Sequence, residues 1–184
     1  MKADDIKLLY EYNSWAVQRI LATCANVSQE QYVAPTNYGS LRATLIHTLD
    51  SEWAWRLACQ EYSVAPDTLK ARSLAEEPKR WDHQDLTEAD LPTLDALKAR
   101  WRAEEREMRA YLGGLSDQDL YGLVRYLIPS GIVRERVVWH CLVHVVNHGT
   151  QHRSEAAALL TSYGQSPGDL DFTVFMNERI NLPS

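Results

Sequence analysis

Four histidines, His140, His144, His148 and His152, recur at every fourth position near the C-terminal end of the chain. On a helix each step of four residues advances by about 40°, so the four rings cannot share one direction and the ladder must pass from one face to another. With His140 set at zero, Val137, Cys141, Leu142, Val145, Ala156, Leu159 and Leu160 fall between about 60° and 200°, while Arg136, Asn147, Gln151 and Ser154 gather near zero. His148 and His152 lie inside the apolar stripe, His144 on its border and His140 among the polar residues. Imidazoles at i and i+4 can bind one metal ion together. Equally, a pair of core histidines can hydrogen-bond a carbonyl or each other. A third ring bears on the choice. His47 follows Leu45 and Ile46, and Ala43, Ile46, Ala54, Leu57 and Ala58 gather on its side of a second helical wheel, so it too is predicted to face inward. Three imidazoles from two helices are costly to bury unless they share a purpose, and a cation would give all three nitrogens a partner. The expectation is a metal site of His47, His148 and His152, with His140 and His144 outside it and His83 solvated in a polar connection.

Three neutral imidazoles leave a divalent charge uncompensated, so water or a thiol sharing the ion would lose its proton more readily. The residue after His148 is Gly149, where His-Glu-x-x-His proteases carry their general base, and protease chemistry is therefore disfavoured. Asp50, Glu52 and Glu155 are the carboxylates that could orient a ligand or relay a proton. For Asp50 and Glu52 a solvated or salt-bridged helix face is an equal alternative. No fourth ligand is evident, which favours an open, catalytic site over a closed structural one. The nitrogen donors suit nickel or zinc foremost, with iron, cobalt and manganese as alternatives. Trp15, Trp53, Trp55, Trp101 and Trp139 could line a pocket, although bundle cores and dimer faces use Trp as well.

The elements that must carry these residues are helices. Residues 3–23 place Ile6, Leu9, Tyr10, Tyr12, Trp15, Ala16, Ile20 and Leu21 on one broad face. A second helix is expected over 40–59 with Ser40 as N-cap, and a third from Pro92 in its first turn to Leu112, ending at Gly113 and Gly114. A fourth spans 136–163 and closes at Gly164. The fold class is all-α: a four-helix bundle in a single domain, residues 1–184, with a long polar crossover connection from Glu61 to Asp90. Residues 120–127 and 132–138 flank Pro129-Ser130-Gly131 as a short hairpin would, and 166–184 read as a packed tail.

Composition narrows the function classes. The 184 residues are 45% hydrophobic and 24% charged, as in an ordinary folded domain, and the net charge of −6 argues against a nucleic-acid partner. No apolar run reaches the roughly 18 to 20 residues of a membrane span, and Asp4 and Asp5 stand where a secretion signal would be basic, so no membrane association and a cytoplasmic location are expected. Cys24, Cys59 and Cys141 lie in apolar segments without a Cys-x-x-Cys pair and read as reduced thiols.

Three segments carry a resemblance: Tyr12-Asn13-Ser14-Trp15-Ala16; Tyr38-Gly39-Ser40-Leu41 leading to His47, Glu52 and Trp55; and His144-Val145-Val146-Asn147-His148-Gly149-Thr150-Gln151-His152-Arg153. In order and spacing they resemble the DinB and YfiT-like family, and Asp169-Leu170-Asp171-Phe172 extends the similarity to the C-terminal stretch. The resemblance implies a four-helix bundle with an unusual connection order, a homodimer, and a divalent metal held by three histidines that map onto His47, His148 and His152. It also implies, for some members, a metal-dependent thiol transferase or isomerase acting with a low-molecular-weight thiol such as bacillithiol or mycothiol. The homodimer would use the first and second helices, and the number of Trp and other apolar residues supports it. Where many members read His-Arg-Gly-Gln after the last ligand, this chain has His152-Arg153-Ser154-Glu155, and Gln151 stands where His commonly precedes that ligand.

Overall fold

The computed structural model describes residues 1–36, 39–64, 79–81, 83 and 85–181. Four long helices carry the architecture: α1 (Ala3–Thr23), α3 (Leu41–Tyr62), α4 (Leu94–Gly113) and α5 (Val138–Ser162), with short helices α2 (Gln29–Val33) and α6 (Phe172–Asn181). Their starts follow capping chemistry. Ser40 Oγ accepts from the Ala43 amide and Thr93 Oγ1 from the Ala96 amide, each satisfying a donor that the first helical turn leaves open. Pro92 therefore stands just before the N-cap of α4, two residues ahead of the helix proper. The α2 turn, which has no hydrophobic period long enough to announce it, is closed by Ser28 Oγ accepting from the Gln31 amide while Gln31 accepts from the Ser28 amide.

Helices α1 and α3 each pack against both α4 and α5, so the ring order is α1, α5, α3, α4, and α1 and α3 face each other across the bundle. The bundle is the expected one. The hairpin is present as β3 (Leu123–Leu127) and β4 (Val133–Val137), paired antiparallel with Leu123 opposite Val137. This pairing takes residues 136 and 137 out of the predicted fourth helix. On its other edge β3 pairs antiparallel with β1 (Ser63–Val64) and parallel with β2 (Lys79–Arg80), so the crossover connection is stitched to the hairpin at both ends. Residues 65–78, 82 and 84 of that connection, Tyr38 of the motif above and the last three residues of the tail lie outside the described residues. The tail is not merely packed chain. Asp171 caps α6 by accepting from the Thr173 amide and hydroxyl, and Phe172 and Phe175 stack around Tyr12.

The core divides in two along the bundle. One cluster contains Ile6, Tyr10, Ala16, Ala58, Met108, Leu112, Leu142 and Val145, and the other Val17, Ile20, Leu45, Leu49, Leu97, Trp101, Ala156 and Leu160. At or beside the boundary on every long helix stands a buried polar residue: Asn13 on α1, Glu52 and Arg56 on α3, Glu104 on α4 and Arg153 on α5. Arg56 and Glu104 form a two-pronged pair, Nε to Oε1 at 2.5 Å and Nη2 to Oε2 at 2.9 Å. The three cysteines are buried and free.

Candidate metal centre

His47 projects from α3, and His148 and His152 from consecutive turns of α5, so the three rings meet in the groove between these helices. One ring nitrogen from each lies within 4.8 Å of the other two. Ring centroids stand 5.0 Å apart for His47 and His148, 4.8 Å for His47 and His152, and 4.4 Å for His148 and His152. The Nε2 atoms of His148 and His152 are 3.2 Å apart. Two nitrogens each about 2.1 Å from one ion would be roughly 3.0 Å apart at a right angle and 3.4 Å at the tetrahedral angle, and the observed separation falls between these values. The His148–His152 pair therefore fits a divalent cation, and His47 stands beside it as a third nitrogen donor.

Tautomers point the same way. His152 Nδ1 is 2.7 Å from Glu155 Oε2, so the carboxylate accepts a hydrogen bond from Nδ1–H and leaves the Nε2 lone pair facing the other rings. Burial, together with the neighbouring His152, His47 and His144, pushes His148 down to about 4, which keeps its ring neutral.

The rings are less deeply set than the helical wheels predict. His47 is exposed, and His148 and His152 are half-buried. On α3 Leu45, Leu49, Glu52, Arg56 and Cys59 are buried on the side opposite His47, and on its own side Ala54 and Ala58 are buried one turn or more further along while the His47 ring is not. Two charged residues, Glu52 and Arg56, occupy the arc opposite His47, where a wheel built on the apolar residues does not look for the core. On α5 the fully buried arc runs from about 100° at Cys141 to about 240° at Val146, leaving His148 and His152 at or within about 20° of its edge. The outcome is a group at the rim of the groove, open on the His47 side. His140 and His144 are also exposed; His144 stacks at 5.4 Å on Trp55 and 5.7 Å from His148 but is not among the three converging rings.

The candidate carboxylates separate. Glu155 touches a histidine of the group. Asp50 instead accepts from the Leu86 amide at 2.8 Å and contacts His83 Nε2 at 3.0 Å, tying the crossover connection to α3. His83 is thus not solvated: its side chain is 7% exposed and lies 4.6 Å from the Trp53 ring. Asp50, His83 and Asp85 form a second cluster of ligand-type side chains, with Asp50 already engaged by these two bonds.

Glu52 points into the bundle, where Oε2 accepts from Asn13 Nδ2 at 3.0 Å. Asn13 Oδ1 accepts from Arg153 Nη1, and Arg153 Nη2 donates to Thr150 Oγ1 at 2.9 Å. Desolvation first, and then the Glu104 carboxylate, raises Glu52 from 4.5 to about 7. This network went unread in the sequence. Its signal is Arg153, which falls at about 220° on the α5 wheel, between Leu142 and Val146. It also explains Gly149, where a Cβ would stand 2.7 Å from Arg153 Nη1 and 2.9 Å from Asn13 Oδ1. The glycine makes room for a buried guanidinium.

The sequence matches the DinB family over residues 1–181. The chain belongs to the DinB family. It is also 26% identical over 175 residues to Protein DinB of Bacillus subtilis (strain 168), covering 92% of this chain and 94% of that protein. Within this DinB-family chain, no described helix is long and apolar enough to cross a membrane.

Proposed function

We propose that this protein binds a divalent metal ion, nickel or zinc foremost, through His47, His148 and His152, and uses it in thiol transfer, isomerisation or hydrolysis. The observation that carries this reading is the convergence of three imidazole nitrogens within 4.8 Å at the rim of the α3–α5 groove. When bound, the ion would act as a Lewis acid that lowers the pKa of water or a low-molecular-weight thiol. His148 and His152 hold it from one helix, and His47 fixes it from the other. Glu155 keeps the His152 ring in the tautomer that presents Nε2. Exposure of His47 leaves the approach from solvent open, as a site that admits a substrate requires. The protein is proposed to act in the cytoplasm as a homodimer, with neither nucleic acid nor membrane as a partner.

A second reading, a metal-binding homodimer without catalysis and linked to stress, draws on one observation. Asp50 and Glu52 turn away from the histidines, so Glu155 is the one carboxylate of the three that touches the group. Elemental analysis of untagged protein, followed by a thiol-conjugation and hydrolysis screen with and without the metal, separates the two. His148→Ala is expected to lose both metal and turnover while remaining helical. Cobalt-substituted protein should develop a sulfur-to-metal charge-transfer band on titration with the thiol. A protein that carries metal but neither binds a thiol nor turns over any substrate would leave the second reading in place. A protein that takes up no metal would overturn both.

A further inference from the structure

On the opposite side of the bundle from the histidines, α1 and α4 part to form a cleft of about 250 Å³. Val17, Trp101, Met108 and Leu112 give it apolar walls, and Glu52 reaches it from α3. Glu52 is only 5% exposed. The charges packed around it are already engaged. Arg56, on its own helix, pairs with Glu104 of α4; Arg153 of α5 is bonded to Asn13 and Thr150 and lies over the Tyr12 ring. At the mouth, Arg109 pairs with Glu105, Lys7 with Asp4, and Glu11 with Arg179. Tyr10 of α1 completes the surroundings, its hydroxyl donating to the Leu142 carbonyl. Among the described residues, Glu52 has no cation in direct contact: Arg153 faces it across Asn13 and the Glu104 carboxylate opposes it, at the end of an apolar recess.

We propose that this cleft binds a small organic cation, an amine with a compact aromatic or short alkyl body, whose ammonium group pairs with Glu52. A buried carboxylate whose nearest cation stands behind an amide is only partly compensated, and a ligand ammonium would supply a direct counter-charge and a hydrogen-bond donor together. An anion would meet Glu52, Glu105 and Glu11 and is disfavoured. The volume lies below the roughly 300 to 1,000 Å³ of drug-sized pockets, so the occupant has one ring or a short chain. This site does not depend on the three-histidine reading.

The test is calorimetric titration of the full-length chain with phenethylamine and with its uncharged counterpart, phenethyl alcohol. The amine is expected to bind one per chain and at least tenfold more tightly than the alcohol at pH 8. Because Glu52 gives up its proton at about 7, amine affinity should fall about tenfold between pH 8 and pH 6, while alcohol binding should stay level. Glu52→Gln should remove the preference for the amine, and His148→Ala should leave amine binding unchanged. The comparison of the two ligands on the wild type does not depend on how any variant folds. Equal affinity for the two, no binding of the amine, or loss of amine binding in His148→Ala would each overturn the proposal.

Discussion

Glu52→Gln should stabilise the protein, and by an amount set by pH. In the folded chain Glu52 keeps its proton to about pH 7, whereas the unfolded chain releases it near 4.5. Between those values unfolding therefore releases a proton, and wild-type stability declines as pH rises from about 4.5 to about 7. Above about 7 the carboxylate is ionised in both states and the full cost of holding it in the core remains. The interval from 4.5 to about 7, at roughly 1.4 kcal/mol for each tenfold change in proton affinity, corresponds to about 3 kcal/mol. Glutamine matches the protonated acid in shape and retains an oxygen to accept from Asn13 Nδ2. The variant should then equal the wild type near pH 4.5 and exceed it by about 3 kcal/mol at pH 8. Urea unfolding followed by circular dichroism at half-unit steps of pH measures this difference, provided the denaturant slope is unchanged. A difference that stays flat across the range, or a variant less stable than wild type at pH 8, would refute the reasoning.

Gly149→Ala tests the packing of the same network. Helix propensity alone would make alanine more stable by about 1 kcal/mol, but its Cβ would stand 2.7 Å from Arg153 Nη1, and a net loss of about 2 kcal/mol in urea unfolding is expected. Glu155→Gln should leave stability within about 0.5 kcal/mol and lower metal affinity about 10- to 100-fold in a competitive chelator titration, since Gln is a weaker acceptor for the His152 Nδ1 proton. Sedimentation at micromolar concentration should give a dimer mass, and a monomer would count against the homodimer.

How far the fold could be read depended on which periodicities were clean. Helix α1 is legible to the residue because its apolar face is interrupted by one buried polar residue, Asn13. The start of α5 was misplaced because Arg136 and Val137 fit a helical wheel yet are taken by the β3 ladder, a long-range pairing that local pattern does not carry. The α6 helix was hidden by its shortness and by the Pro167-Gly168 turn before it. His148 and His152 were legible as a pair because one helix fixes their spacing. Their depth was not, since a wheel assumes that polar residues face outward, and Glu52, Arg56, Glu104 and Arg153 all violate that assumption at once.

The same four residues, with Asn13, explain why the histidine group can form at all. Asn13 joins α1 to Glu52 on α3 and to Arg153 on α5, and Glu104 joins α4 to Arg56 on α3, so every long helix enters the layer. Apolar contacts alone hold helix height weakly, because a slide of one turn, about 5.4 Å, sets a new row of leucines against an old row of grooves. Hydrogen bonds between buried charged and amide groups have no such second solution. A slide of α5 past α3 would separate Arg153 from Asn13 and leave a guanidinium unpaired in the core, at a cost of several kcal/mol. That slide would also put one of His148 and His152 in the other's place and carry the second a full turn away from His47, undoing the present convergence of the three rings. The height of α5 that satisfies Arg153 is therefore the height that brings the three imidazoles together, and Gly149, between the two histidines, is the residue through which both requirements pass.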